Sequence, residues 1–194
     1  MKFFRFYFLE FILSRKMNGF SLIELMVAIG ILVLVNSIIL SNYPEFNRRM
    51  ALKKTSEEVA LIARRAQAYS LGVKRSASGS DNFFGFGVHF DKNNPKSLIL
   101  FTDSDSDKTY DNGELFQEFK IDTGDYVSEL QTYDLSKGYS SVNTLDVVYP
   151  RASSIAKINN GDASYALVTI TSPRGEKKII TIITIWINGT ITVN

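Results

Sequence analysis

The chain has 194 residues, 22 Lys+Arg against 20 Asp+Glu, a single His, no Cys and 45% apolar residues. The length suits one ordinary domain with an appendage. The missing cysteines exclude disulfide frameworks, thiolate metal sites and thiol nucleophiles, the lone His excludes multi-histidine metal sites, and a net charge of +2 excludes the strongly basic profile of a dedicated nucleic-acid binder.

The averages conceal a steep gradient along the chain. Residues 1–19 are basic, with Lys2, Arg5, Arg15 and Lys16 against Glu10, and their apolar stretch is broken by Arg5 and Glu10. No small-x-small site follows the next apolar run, so an ordinary secretory signal does not fit. Phe20–Leu40 reads FSLIELMVAIGILVLVNSIIL, 21 residues with one charge, Glu24. As a helix this segment is roughly 31 Å long, about one hydrocarbon core, and it is apolar on every face, which predicts a membrane span. Basic residues lie on both sides of it, so charge counting leaves its orientation open.

Beyond the span, Pro44 removes a backbone donor and predicts a kink or interruption near residues 40–44. Leu52, Val59, Ile62, Ala66, Tyr69 and Val73 then recur at intervals of 7, 3, 4, 3 and 4, an apolar stripe with the period of a helix. A helix from 20 to about 75 would be about 84 Å long. Its second half, 41–75, is expected to be an amphipathic stem whose charged residues form a solvated face. Residues 46–75 carry eight basic and two acidic residues; residues 76–194 carry ten and fifteen. A basic stem and an acidic head could pair between copies.

From residue 76 the pattern becomes strand-like, after a loop at 76–82. Strands are predicted at 83–90, 97–102, 114–121, 144–149 and 165–171, with 126–135 ambiguous. Lys178–Ile187 is apolar on both faces and reads as a central strand. Asn188-Gly189 is a type I′ hairpin signal leading into 190–193. About seven strands behind one long helix give an α+β fold, with an antiparallel β head at 76–194.

The residues at the start of the span carry a resemblance. The basic pair Arg15-Lys16, then Gly19, Phe20, the small Ser21 and LIELMVAIGIL with an acid fifth from Gly19 resemble the class III leader of type IV pilins and type II secretion pseudopilins. Leader 1–19 is longer and more aromatic than usual, and a start at Met17 would lose the basic pair. The resemblance implies cleavage after Gly19 by a prepilin peptidase, N-methylation of Phe20 and assembly into a pilus or pseudopilus. Expected partners are that peptidase, other pilin subunits, an inner-membrane assembly platform and membrane lipid, with nucleic acid not expected. The implied location is a single pass of the cytoplasmic membrane, leader inside and head outside. A carboxylate within a bilayer is costly and calls for a partner; the resemblance offers Glu24 the α-amine of Phe20 on a neighbouring subunit. The helix end ARRAQAYSLGVK, FGFGVHF, an FxDxDxDxxxDNGE hairpin and a closing WINGTITV resemble the heads of H-type pseudopilins and FimT-like minor pilins. A minor or priming subunit is implied, a major pilin stays open, and no enzymatic role is implied.

Two further groups could carry chemistry. Asp103, Asp105, Asp107, Thr109, Asp111 and Glu114 occupy positions 1, 3, 5, 7, 9 and 12 of a calcium-loop pattern. Lys108 stands at position 6, where that pattern has Gly, and strands flank it instead of helices; Ca²⁺ and a solvated acidic hairpin tip are both open readings. Without an ion, five carboxylates and one base predict a loose loop. Arg174, Lys177 and Lys178 cluster near a hairpin tip and could touch phosphates, which gives the alternative of a DNA-binding minor pilin for uptake. His89 shows no partner and reads as structural, and Trp186, between isoleucines, reads as core.

Overall fold

The computed structural model describes residues 19–72, 85–159, 161, 163–173 and 179–194. The leader up to residue 18, the loop at 76–82, Val73 and the basic cluster Arg174, Lys177 and Lys178 lie outside these residues. The chain divides into two compact units, Met1–Pro44 and Glu45–Asn194.

One helix, α1, runs Leu22–Leu71. Ser21 starts it: its Oγ accepts the Glu24 N–H at 3.2 Å, satisfying one of the donors that a helix N-terminus leaves free. Ser21-Leu-Ile-Glu24 is also the sequence of a capping box. Pro44 lies inside α1 and does not interrupt it; the division between the two units falls there instead.

In the first unit every described residue from 19 to 44 is exposed. By length and composition this part of α1 can cross a membrane. Its polar residues bond to the helix itself. Asn36 Nδ2, Ser37 Oγ and Asn42 Nδ2 donate to the carbonyls of Leu32, Val33 and Ile38, each four residues back. A helix whose polar groups are internally satisfied avoids most of the penalty of entering an apolar phase.

The second unit is α+β. Its ten strands form two antiparallel sheets, where the sequence suggests about seven strands. They are β1 (Gly85–Asp91), β2 (Ser97–Asp103), β3 (Leu115–Lys120), β4 (Tyr126–Asp134), β5 (Gly138–Ser141), β6 (Thr144–Pro150), β7 (Lys157–Ile158), β8 (Tyr165–Ser172), β9 (Ile179–Trp186) and β10 (Ile191–Val193). One sheet has the order β3-β2-β1-β6-β7 and the other β10-β9-β8-β4-β5. The additional strands are short: β5 has four residues and β7 two, too few to show a period of two.

A single core joins both sheets to the stem of α1. Leu52, Val59, Ile62 and Ala66 are buried as the apolar stripe predicts, and Tyr69 packs against the cluster. The buried stripe is wider than hydrophobicity alone indicates, since Thr55, Ser56 and Ser70 are buried on it too. Their hydroxyls explain why. Thr55 and Thr123 both donate to the buried Asp125 (2.9 and 2.7 Å). Ser70 Oγ donates to the Tyr149 carbonyl (2.7 Å) and accepts the Phe86 N–H (2.9 Å), fastening the end of α1 to β1 and β6. Across β1, Phe86, Val88 and Phe90 face this core, and Gly85, Gly87 and His89 alternate onto the other face.

Strand β9 lies between β8 and β10, an inner strand as the sequence predicts, although β10 covers only its last part and Ile180 is 53% exposed. Two sequence expectations need correction. Trp186 is not core: Ile183 and Ile185 take the inward positions, and alternation puts Trp186 on the outer face, 40% exposed. At the β9–β10 hairpin only Gly189 has a positive φ (85°), whereas a type I′ turn needs two. The Gly189 N–H closes onto the Trp186 carbonyl at 2.9 Å, and Trp186 N–H onto the Thr190 carbonyl, so a type I turn with a glycine bulge replaces it.

The Tyr149 side chain is fully buried, and its hydroxyl has no hydrogen-bond partner among the described residues. Desolvation pushes its ionisation far up. Tyr149→Phe is therefore expected to raise stability by about 1 kcal/mol, read from the urea midpoint, because it removes a buried polar group that gains no bond.

Candidate functional site

Two places carry the residues singled out from the sequence, one in each unit. At the N-terminus, Gly19 and Phe20 precede the helix in non-helical backbone and are exposed, Phe20 at 78%. The cap at Ser21 is what keeps them out of α1, so the Gly19–Phe20 peptide is presented just before the first turn. A peptidase needs such a reachable, non-helical bond. Around Gly19 nothing lies within 4 Å of where a Cβ would be, so the fold does not require glycine there and the requirement would come from a processing enzyme. Glu24 sits in the first turn, its N–H held by Ser21, where the helix macrodipole favours a carboxylate. The sequence reading passed over Ser21 as merely small; the Ser-x-x-Glu spacing was the available signal.

The second place is the loop joining β2 to β3, residues 103–114. Asp103 and Glu114 form its base, 2% and 6% exposed. Glu114 clamps the two ends: its Oε1 accepts the Ser104 N–H (2.6 Å) and its Oε2 the Asp111 N–H (3.2 Å). Asp103 Oδ1 accepts the Ser106 N–H (2.7 Å), and Asp107 takes both the N–H and the hydroxyl of Thr109 (2.7 and 2.6 Å). The carboxylates thus organise their own loop through backbone donors instead of leaving it loose.

Burial pushes the Asp103 and Glu114 carboxyls above the usual carboxylate range, with neighbouring acids adding to the shift. The Thr109 hydroxyl and N–H hold Asp107 below it. The acids converge in two triples, Asp103-Asp105-Glu114 and Asp105-Asp107-Asp111, with carboxylate oxygens within 4.8 Å of one another in each. This is a hard-oxygen donor set of the type that suits a divalent cation such as Ca²⁺. Position 6 does not break it: Lys108 adopts φ 66°, the left-handed conformation that glycine supplies in the pattern. Its Nζ turns back onto the Ser106 carbonyl (3.3 Å).

Lys108→Gly is expected to stabilise the second unit by about 0.5–1 kcal/mol, as relief of left-handed strain outweighs the added freedom of the unfolded chain. A urea titration compares it with Lys108→Ala, which keeps the strain and should show no gain.

Tyr110 anchors the loop to the sheet. Its ring packs on Phe101 (centroids 5.4 Å) and on His89 (4.9 Å). His89, partnerless in sequence, bonds through Nδ1 to Asp146 Oδ1 at 2.7 Å. The two are cross-strand partners in the β1–β6 register, a relation invisible along the chain. Beneath them Phe101 fills the space above Gly87.

Residues 14–39 match the prokaryotic N-terminal methylation motif. No curated protein and no solved structure matches the chain. The motif is the class III prepilin leader, and together with the exposed apolar helix it supports a type IV pilin-like precursor anchored in a membrane.

Proposed function

We propose, with the methylation motif as premise, that this chain is a filament subunit of the type IV pilin kind, cut after Gly19, methylated on Phe20 and assembled through the apolar part of α1. The observation that carries the reading is the register of motif and helix: motif residues 14–39 bracket the Gly19–Phe20 bond, and α1 begins two residues after it. The role is mechanical. An apolar helix stable in lipid can leave it for a core of like helices without exposing its surface to water. Glu24 then pairs with the free amine of a neighbouring Phe20, and the head supplies the outer contacts.

The finer reading is a minor subunit of the H-type or FimT-like kind. It is supported by the β2–β3 acidic hairpin, the Gly-Phe-Gly start of β1 and a final hairpin at Asn188-Gly189. Prepilin peptidase, fellow subunits and the assembly machinery of the cytoplasmic membrane are its partners, with the head on the outer side.

N-terminal mass spectrometry of the chain expressed with and without a prepilin peptidase tests the proposal. A mature N-terminus at methylated Phe20 is expected only with the peptidase, and Gly19→Val should leave more than nine-tenths of the chain uncut. A wild-type chain left whole beside an active peptidase would reduce residues 1–40 to a plain anchor.

A further inference from the structure

Sheet alternation sends the core-facing residues of β8 and β9 inward as Ala166, Val168, Ile170, Ile183 and Ile185, all buried. The opposite face should be polar if it only met water. Instead the strand registers place Tyr139 opposite Tyr133, Tyr133 opposite Tyr165, and Tyr165 opposite Trp186. One aromatic row therefore crosses β5, β4, β8 and β9, with successive ring centroids 4.9, 4.8 and 4.6 Å apart. Tyr133 and Tyr165 are stacked at 13°, and the Tyr139 and Tyr165 hydroxyls bond to each other at 3.0 Å. That bond pushes the Tyr165 phenol up to about 12. The next rows of the same face add Leu167 and Ile182, both half-buried.

We infer that this outer face of the second sheet is an interface for a second copy of the chain. Area and charge support that occupant. Tyr139 is 61% and Trp186 40% exposed; at about 150–250 Å² per aromatic side chain these two leave roughly 200 Å² open, and with the half-buried members of the face about 350 Å² is available. Two such faces together bury roughly 700 Å², the size of a weak, transient contact. A two-fold contact sets a patch against its own copy, which penalises any surface of one sign. The acidic loop and the basic stem of α1 are such surfaces. The aromatic row is not, with Glu129, Asp134 and Lys137 as the charges beside it. A contact of this size is weak in dilute solution and becomes occupied where copies share a membrane, so the inference rests on the anchored reading of α1.

The absence of cysteine allows a clean test. Gln131 lies one row from the aromatics on β4, and Asn112 lies in the acidic loop. Gln131→Cys and Asn112→Cys full-length chains are placed separately in phosphatidylcholine vesicles, floated on a density gradient and oxidised. The disulfide dimer of Gln131→Cys is expected to form at least tenfold faster than that of Asn112→Cys. Adding Tyr139→Ser and Trp186→Ser, both outside the core, should bring its rate down to the control, with an unchanged circular dichroism spectrum verifying the fold. Equal rates at the two positions in a chain that floats, or a rate that the double change does not move, would overturn the interface alone. A chain that does not float would overturn the anchored reading and the inference with it. A monomer retained on a neutral glucan or on DNA through these two side chains would assign the face to that ligand and overturn it as well.

Discussion

Gly87→Val is expected to destabilise the second unit by about 3 kcal/mol or more, a large share of the roughly 5–15 kcal/mol that holds an ordinary domain folded. A Cβ at this position would lie 2.5 Å from Phe101 Cζ, 2.6 Å from its Cε1 and 2.9 Å from Val148 Cγ2. None of these atoms can retreat cheaply. Phe101 is fully buried, covered by Tyr110 from the acidic loop, and Val148 is fully buried on the next strand. The clash lies on the face of β1 away from α1, so the stem helix is not directly disturbed. Gly87→Ala should cost about 1–3 kcal/mol, since one methyl can be met by a partial tilt of Phe101. Any tilt of Phe101 is passed to Tyr110, whose loop holds the two carboxylate triples. Gly87→Ala should therefore also change the titration of Asp103, while an equally destabilising Leu130→Ala in the second sheet should not. Urea unfolding of the full chain in detergent measures the first effect, and side-chain carboxyl NMR against pH measures the second.

The same region shows what could be read without coordinates. The spacing of FFGFGVHF reveals a strand with small residues on one face, and the acidic spacing reveals the hairpin; both are local patterns. What they pack against is not local. Phe101 over Gly87 and Asp146 beside His89 follow from strand registers fixed by the whole sheet. The aromatic row is the extreme case, four residues from four strands with no shared period along the chain. Trp186 was misread for a related reason: a run of isoleucines looks alike on both faces, and only the core that the sheet shares with its partner sheet and the stem of α1 decides which face is inside. The N-terminal segment was legible because its information is sequential, a bond followed by a cap followed by an apolar helix. The stem stripe was legible in its apolar members, whereas Thr55, Ser56 and Ser70 were not, since hydroxyls are buried only where a partner waits.

Glu24→Gln is expected to abolish assembly while leaving processing at Gly19 intact. The substitution separates two roles that alanine would confuse. In this structure Glu24 stands at the third helical position after the Ser21 cap, where Glu and Gln both serve in a capping box. Helix initiation, and with it the presentation of the Gly19–Phe20 bond, should survive the change. The charge does not survive it. In a filament core the mature Phe20 amine would then be buried without a counter-ion, and removing one partner of a buried pair costs about 3–5 kcal/mol, roughly a 100- to 4,000-fold loss in subunit association. Ser21→Ala has the opposite signature: it weakens the cap by about 1 kcal/mol, slows cleavage because the first turn frays, and leaves assembly of whatever is cut unaffected. Cleavage by mass spectrometry and filament yield in sheared fractions, read on both variants, distinguish the two. If Glu24→Gln chains are cut and assemble at the wild-type level, Glu24 is a capping residue and no more, and the alignment of subunits must come from the heads.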